Sequence, residues 1–160
     1  MHSIPPTSRL LRLRLPPLAV TALAGGLGWL TAHIVPGLNF EFSTRTGLAA
    51  TFGVLGITCS ALGVAAFRRA RTTVNPLVPD AATVLVVSGI YRVSRNPMYL
   101  GFLLLLWAEI VWLANPVALL VAPAFVLYLN RFQIGPEESA LRSRFGAEFQ
   151  SYSHRVRRWI

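Results

Sequence analysis

Residues 47–67 form one apolar run without a charged side chain, GLAATFGVLGITCSALGVAAF. Arginine bounds the run on both sides, with Arg45 before it and Arg68 and Arg69 after it. At about 1.5 Å per residue, a helix of this length spans roughly 30 Å, the thickness of the hydrocarbon core of a bilayer. The run therefore predicts a transmembrane helix.

The composition of the whole chain agrees with a bilayer environment. Of its 160 residues, 54% are hydrophobic and 13% are charged, and the net charge of +9 includes fifteen Arg and no Lys. A soluble domain of this size could not bury so much apolar surface. The single cysteine, Cys59, excludes a disulfide scaffold and a cysteine-based metal site. Because the arginines flank apolar runs, we expect a membrane topology and no nucleic-acid partner.

Three further apolar runs predict helices, at residues 18–35, 97–114 and 116–130. The first begins like a signal peptide, but more apolar sequence follows its small residues, so we interpret it as a retained transmembrane helix. The last two form a tight antiparallel hairpin through the turn Ala114-Asn115-Pro116. Residues 72–94 predict an ordered interfacial connection. The predicted fold is an all-α integral membrane protein with about four transmembrane helices.

The polar C-terminal part of the chain predicts one more helix, which begins at Gly135-Pro136. Four apolar side chains recur at three- and four-residue intervals and so share one face: Leu141, Phe145, Phe149 and Tyr152. We expect this helix to lie on the cytoplasmic membrane surface or to fold back over the bundle. The chain is then one membrane domain, with an N-terminal helix pair in residues 1–71 and the remainder in residues 72–160.

The arginines orient this topology. Fourteen of them fall on one side, including Arg9, Arg12, Arg14 and Arg71, whereas Arg45 falls alone on the other side. Because Lys and Arg favour the cytoplasmic side of a membrane, the distribution predicts that both termini are cytoplasmic. The exclusive use of Arg, with abundant Ala, Leu, Val and Gly, indicates a bacterial inner membrane.

Polar groups gather where the predicted third helix begins: Tyr91, Arg92, Ser94, Arg95, Asn96 and Tyr99. Asn96 suits an N-cap and Pro97 suits the first helical position. A helix N-terminus beside Arg95 favours a carboxylate or phosphate ligand. The alternative is that Asn96-Pro97 only starts the helix and that Arg95 only follows the topology rule.

Three of the six acidic residues are also candidates. Glu137 and Glu138 either stabilise the first turn of the C-terminal helix, by about 0.3–1 kcal/mol, or bind an ammonium or hydroxyl group of a ligand. Glu109 lies within the third helix, where an ionisable group is a functional candidate by default. It either contacts substrate or forms a structural pair with His33 near the outer interface.

A motif connects these elements. Residues 89–101, GIYRVSRNPMYLG, are followed by an apolar hairpin, by Glu137-Glu138, and by Phe145-Gly146 with Tyr152. This order resembles the isoprenylcysteine carboxyl methyltransferase and phospholipid methyltransferase superfamily of integral membrane enzymes. Its members share the pattern RHPxY, an apolar spacer and EE. The resemblance covers about residues 72–160.

The resemblance implies methyl transfer from S-adenosylmethionine, bound at the cytoplasmic end of the last helices, to a lipophilic acceptor that arrives through the bilayer. A prenylcysteine-like carboxylate and a lipid amine are both open as acceptors. Asn96 stands where the family has histidine. The implied catalytic residues are Arg95, Glu137 and Glu138. The implied cofactor contacts are Tyr91, Arg95, Asn96, Pro97, Tyr99, Leu100, Glu137 and Glu138.

Two other functions stay open from the sequence. Sterol-reductase-like enzymes, which use a nicotinamide cofactor, share parts of this architecture. A small membrane scaffold could instead bind partners through its glycine-rich helices. The glycine-lined faces of the first two helices also allow a homodimer.

Overall fold

A computed structural model describes residues 15–70 and 84–160. The described chain is helical, and its main helices are α1 (Pro17–Ile34), α2 (Arg45–Arg69), α3 (Pro97–Leu113), α4 (Val121–Leu129) and α5 (Gly135–Arg155). Arg9, Arg12, Arg14, Arg71 and most of the predicted connection 72–94 lie outside the described residues. The all-α fold is confirmed.

Several helices are suited to a bilayer. Within residues 15–70 and 84–160, three are long and apolar enough to cross a membrane: α1, α2 and the helical stretch from residue 118 to residue 155. α3 is apolar but shorter, at 17 residues. Large apolar side chains face outward, including Leu18 at 66% and Val54 at 64% exposure. This outward apolar surface is what lipid chains would contact.

Small residues let α2 and α3 cross at close range. A Cβ added at Gly56 would lie 2.8 Å from the Gly101 carbonyl oxygen, and one added at Gly63 would lie 2.7 Å from Met98 Cγ. Ser60 also contacts Gly101. Since lipid removes most of the hydrophobic drive for helix association, this backbone approach stabilises the pair through van der Waals contact.

The turn between α3 and α4 is fixed by a buried asparagine. Asn115 Nδ2 donates to the Val35 carbonyl at 3.1 Å and to Asn39 Oδ1 at 2.6 Å. Ala114 takes a left-handed conformation with φ of 49°, and its carbonyl accepts from the Phe40 N–H at 3.0 Å. The loop after α1 is thereby tied to the predicted Ala114-Asn115-Pro116 turn.

The junction of α4 and α5 differs from the prediction of a separate C-terminal helix. A π-helical turn, Asn130–Ile134, joins them without a break. Pro136 lacks an N–H and its ring would crowd the preceding turn, and the wider π-helical turn accommodates both effects. The true interruption comes later, at Gly146, with φ of 50° and ψ of −119°.

The predicted apolar face of α5 packs against the protein. Phe149 and Tyr152 are buried against Leu85. Leu141 and Phe145 are partly buried and pack at the edge of the same cluster. This face of α5 therefore packs on the described part of the connection before α3. A second core cluster lies beside the start of α3 and joins Val20, Tyr99, Leu106, Phe125, Leu129 and Ile134.

The α2–α3 contact gives a stability prediction. In Gly56→Ala, the added methyl overlaps the Gly101 carbonyl, and overpacking of this kind costs about 1–3 kcal/mol. We expect a lower Tm for thermal unfolding in detergent. Gly53→Ala is the matched control, because its Cβ would meet Ala108 Cβ at an ordinary 4.0 Å. Equal Tm values for the two variants would contradict the close crossing.

Candidate active site

The start of α3 is clasped by the C-terminal residues of the chain. The Arg95 N–H donates to the Arg157 carbonyl at 3.0 Å. Asn96 Nδ2 donates to the Arg158 carbonyl at 2.9 Å, and Ser94 Oγ donates to the same oxygen at 3.4 Å. The turn before α3 thus contacts C-terminal residues that lie more than sixty positions away in the sequence.

Glu138 is the electrostatic centre of this region. Its carboxylate accepts from Arg158 Nε at 2.9 Å and from Arg158 Nη2 at 2.7 Å. Arg95 Nη2 lies 3.1 Å from the same carboxylate, and both of these side chains are 14% exposed. The hydrogen bond to Glu138 raises the pKa of Arg158, so this guanidinium stays charged. One carboxylate is therefore shared by two cations.

Arg95 carries a second hydrogen-bond donor, Nε, besides the Nη2 that lies beside Glu138. Its guanidinium lies 6.0 Å from the centre of the Phe149 ring, which holds the side chain in place. Its Nε is buried and has no hydrogen-bond partner within the described part of the chain. A buried donor without a partner costs about 1–3 kcal/mol, so an acceptor placed there would be bound favourably.

The other acidic residue of the pair is held by a tyrosine. Tyr99, which is 5% exposed, donates from Oη to Glu137 Oε1 at 2.6 Å. Adjacent acids on α5 thus contact two different positions of the segment 95–99. The structure brings together Arg95, Tyr99, Glu137 and Glu138, as the motif order implied.

The remaining residues of the motif support this cluster. Tyr91 is buried, and its carbonyl accepts from Tyr152 Oη at 2.7 Å. Burial, together with Tyr152 and Glu137, raises the pKa of Tyr91 well above its ordinary value. Pro97 and Leu100 are buried in the first turn of α3. They shape the start of the helix without adding a polar group.

Glu109 lies apart from the cluster. It follows Tyr99 by ten positions, or about 15 Å along α3. A Cβ added at Gly25 of α1 would lie 2.5 Å from Glu109 Oε2, so the carboxylate rests against the backbone of that helix. His33, its expected partner, contacts the Trp29 carbonyl through Nδ1 at 2.8 Å.

Two residues of this region, Arg158 and Trp159, were missed by the sequence analysis. Arg158 was assigned to topology, although it binds Glu138. Trp159 Nε1 donates to Asn130 Oδ1 at 3.1 Å, which connects the C-terminal residues to the π-helical turn. Only the unusual density of polar side chains at residues 154–159 could have indicated a role. Within residues 15–70 and 84–160, no group of His, Cys, Asp or Glu could hold a metal ion.

Comparison with known proteins identifies the class. The sequence pattern of the phospholipid methyltransferase family, PEMT, matches residues 44–148, which include every member of the cluster except Arg158. An uncharacterized protein of Haemophilus influenzae is 48% identical over 63 residues, which is 39% of this chain and all of that protein. No solved structure matches the chain.

Other relatives have named activities, and two of them show the range of acceptors. A probable protein-S-isoprenylcysteine O-methyltransferase of Oryza sativa is 34% identical over 121 residues, which cover 74% of this chain and 61% of the relative. Methanethiol S-methyltransferase 2 of Bradyrhizobium diazoefficiens is 37% identical over 68 residues, covering 42% of this chain and 25% of the relative. The chain is thus a helical protein of the methyltransferase class, with helices long and apolar enough to cross a membrane. The chain belongs to the phospholipid methyltransferase family.

The Arg158–Glu138 pair gives a second stability prediction. Arg158→Met removes both hydrogen bonds to Glu138 but keeps the backbone carbonyl. Because Arg158 is half-exposed, solvent screening leaves a loss of about 1 kcal/mol, seen as a lower Tm. The control is Arg157→Met, since the Arg157 side chain is exposed. Equal Tm values for Arg158→Met and Arg157→Met would contradict a stabilising role for the Arg158–Glu138 pair.

Proposed function

We propose that this chain transfers the methyl group of S-adenosylmethionine to a lipophilic acceptor dissolved in the bilayer. Family membership and the methyltransferase names of the relatives support methyl transfer as the reaction class. The observation that carries the site assignment is Arg95, whose buried Nε has no hydrogen-bond partner in the described chain. Binding a cofactor carboxylate would satisfy this donor.

The residues present fit the cofactor. Bound S-adenosylmethionine supplies an electrophilic methyl group on a sulfonium. Arg95 would hold its carboxylate through Nε, beside the N-terminus of α3. Glu138 or Glu137 would hold its ammonium or a ribose hydroxyl, because both carboxylates face this cluster. The ring of Tyr91 or Tyr99 would face the sulfonium, an interaction worth about 0.5–2 kcal/mol.

The acceptor determines whether the chain must move a proton. A lipophilic carboxylate is already a nucleophile and needs no base. A lipid amine that is protonated as an ammonium must first lose that proton. Glu137 is the proposed base, because it lies at the Tyr99 hydroxyl. In both cases the apolar core beneath the cluster would exclude water from the reacting atoms.

The proposed location follows from the arginines. Arg68, Arg69, Arg92 and Arg95 lie at the end of the bundle that carries the cluster, whereas Arg45 begins α2 at its other end. We place the cluster and both termini on the cytoplasmic side of a bacterial inner membrane, where a water-soluble cofactor is available.

Calorimetric titration of the detergent-purified protein with S-adenosylmethionine tests this function. We expect saturable binding that weakens roughly tenfold or more in Arg95→Met and in Glu138→Gln, because each change removes a charge-assisted contact. The matched control is Arg92→Met, since Arg92 is an exposed arginine three positions earlier.

Two results would contradict the proposal. Unchanged binding in Arg95→Met and Glu138→Gln would overturn the site assignment. Absence of binding by the wild-type protein would overturn the cofactor assignment and favour a scaffold.

A further inference from the structure

Asn96 stands at the N-cap of α3, but its side chain does not take the usual role of that position. An N-cap asparagine ordinarily accepts from an amide of its own first turn and stabilises the helix by about 1 kcal/mol. Here the side-chain amide donates to the Arg158 carbonyl at 2.9 Å instead. The side chain therefore serves the contact between α3 and the C-terminal residues 156–160, which we call the tail.

The tail is held at three places. The turn before α3 holds its backbone through Ser94, the Arg95 N–H and Asn96. Glu138 on α5 holds the Arg158 side chain through two hydrogen bonds. Asn130 in the π-helical turn accepts from the Trp159 indole. The tail thus contacts Arg95 and Glu138, two residues of the proposed site.

Holding the Arg158 carbonyl keeps the Cα of Arg158 close to Glu138 and so restricts the positions that the Arg158 guanidinium can reach. Asn96 donates to that carbonyl and Glu138 accepts from that guanidinium. Asn96 therefore acts on Glu138 through Arg158, without contacting the carboxylate itself. Such an arrangement is that of a positioning residue.

We propose that Asn96 is a positioning residue that holds the tail across the site and so controls how fast the cofactor enters and leaves. This inference rests on the proposed function for the identity of the ligand, but the tail contact itself does not. Loss of the Asn96 donor opens the tail more often. Association and dissociation of S-adenosylmethionine then both accelerate, whereas the dissociation constant changes less than either rate.

Two measurements on the full chain test this inference. The first is hydrogen exchange of the Arg95 amide without cofactor, since that N–H donates to the Arg157 carbonyl and reports tail opening directly. The second is stopped-flow binding of S-adenosylmethionine. In Asn96→Ala, we expect exchange and both binding rates to rise about three- to tenfold, the effect of one lost hydrogen bond.

Two further variants separate donation from packing and from general loosening. Asn96→Asp keeps the shape of the side chain but replaces the donor with an acceptor, so it should open the tail at least as much as Asn96→Ala. Asn39→Ala removes an asparagine contact at the opposite end of the bundle, where Asn39 accepts from Asn115. It should leave Arg95 exchange and both binding rates unchanged.

The outcomes distinguish this inference from the proposed function. If the Arg95 amide of Asn96→Ala or Asn96→Asp exchanged at the wild-type rate, the proposed role of Asn96 would be overturned. Faster exchange with unchanged cofactor rates would show a structural contact only and would also overturn it. If the wild-type protein bound no S-adenosylmethionine, the proposed function would fail, and control of cofactor exchange would fail with it.

Discussion

The sharing of one carboxylate by two guanidinium groups is the interaction on which this end of the molecule depends. Glu138 holds Arg95 before α3 and Arg158 near the C-terminus, so three distant segments meet at one residue. Arg95 and Glu138 are each only 14% exposed, and an unmatched charge at that depth would be costly. The two charges therefore pair with each other, and their meeting place is the proposed active site.

Two features of the bundle place the acids at that meeting point. The glycines of α2 bring α3 close, which sets the position of the turn that carries Arg95. The π-helical turn Asn130–Ile134 adds one residue to the helix, which rotates the part that follows by about 100°. That rotation determines which face of α5 carries Glu137 and Glu138 toward α3.

Much of this arrangement could be predicted from the sequence, because apolar run length determines a membrane helix and the motif order implies which segments meet. The continuity of α4 and α5 could not, since Gly135-Pro136 is a usual helix boundary and only a wider turn accommodates it. Arg158 could not be distinguished from topology arginines, because its role comes from a contact across twenty positions. Asn96 was predicted as a cap, whereas tertiary contact redirects its amide to the tail.

Transfer of a labelled methyl group tests the central claim most directly. Membranes containing the protein would be incubated with S-adenosylmethionine that carries a tritiated methyl group, and the lipid extract would then be separated and counted. The account predicts that wild-type protein labels a lipid-soluble product and that Arg95→Met, present at equal amount, labels little. An unlabelled lipid extract with wild-type protein, or equal labelling by Arg95→Met, would contradict it.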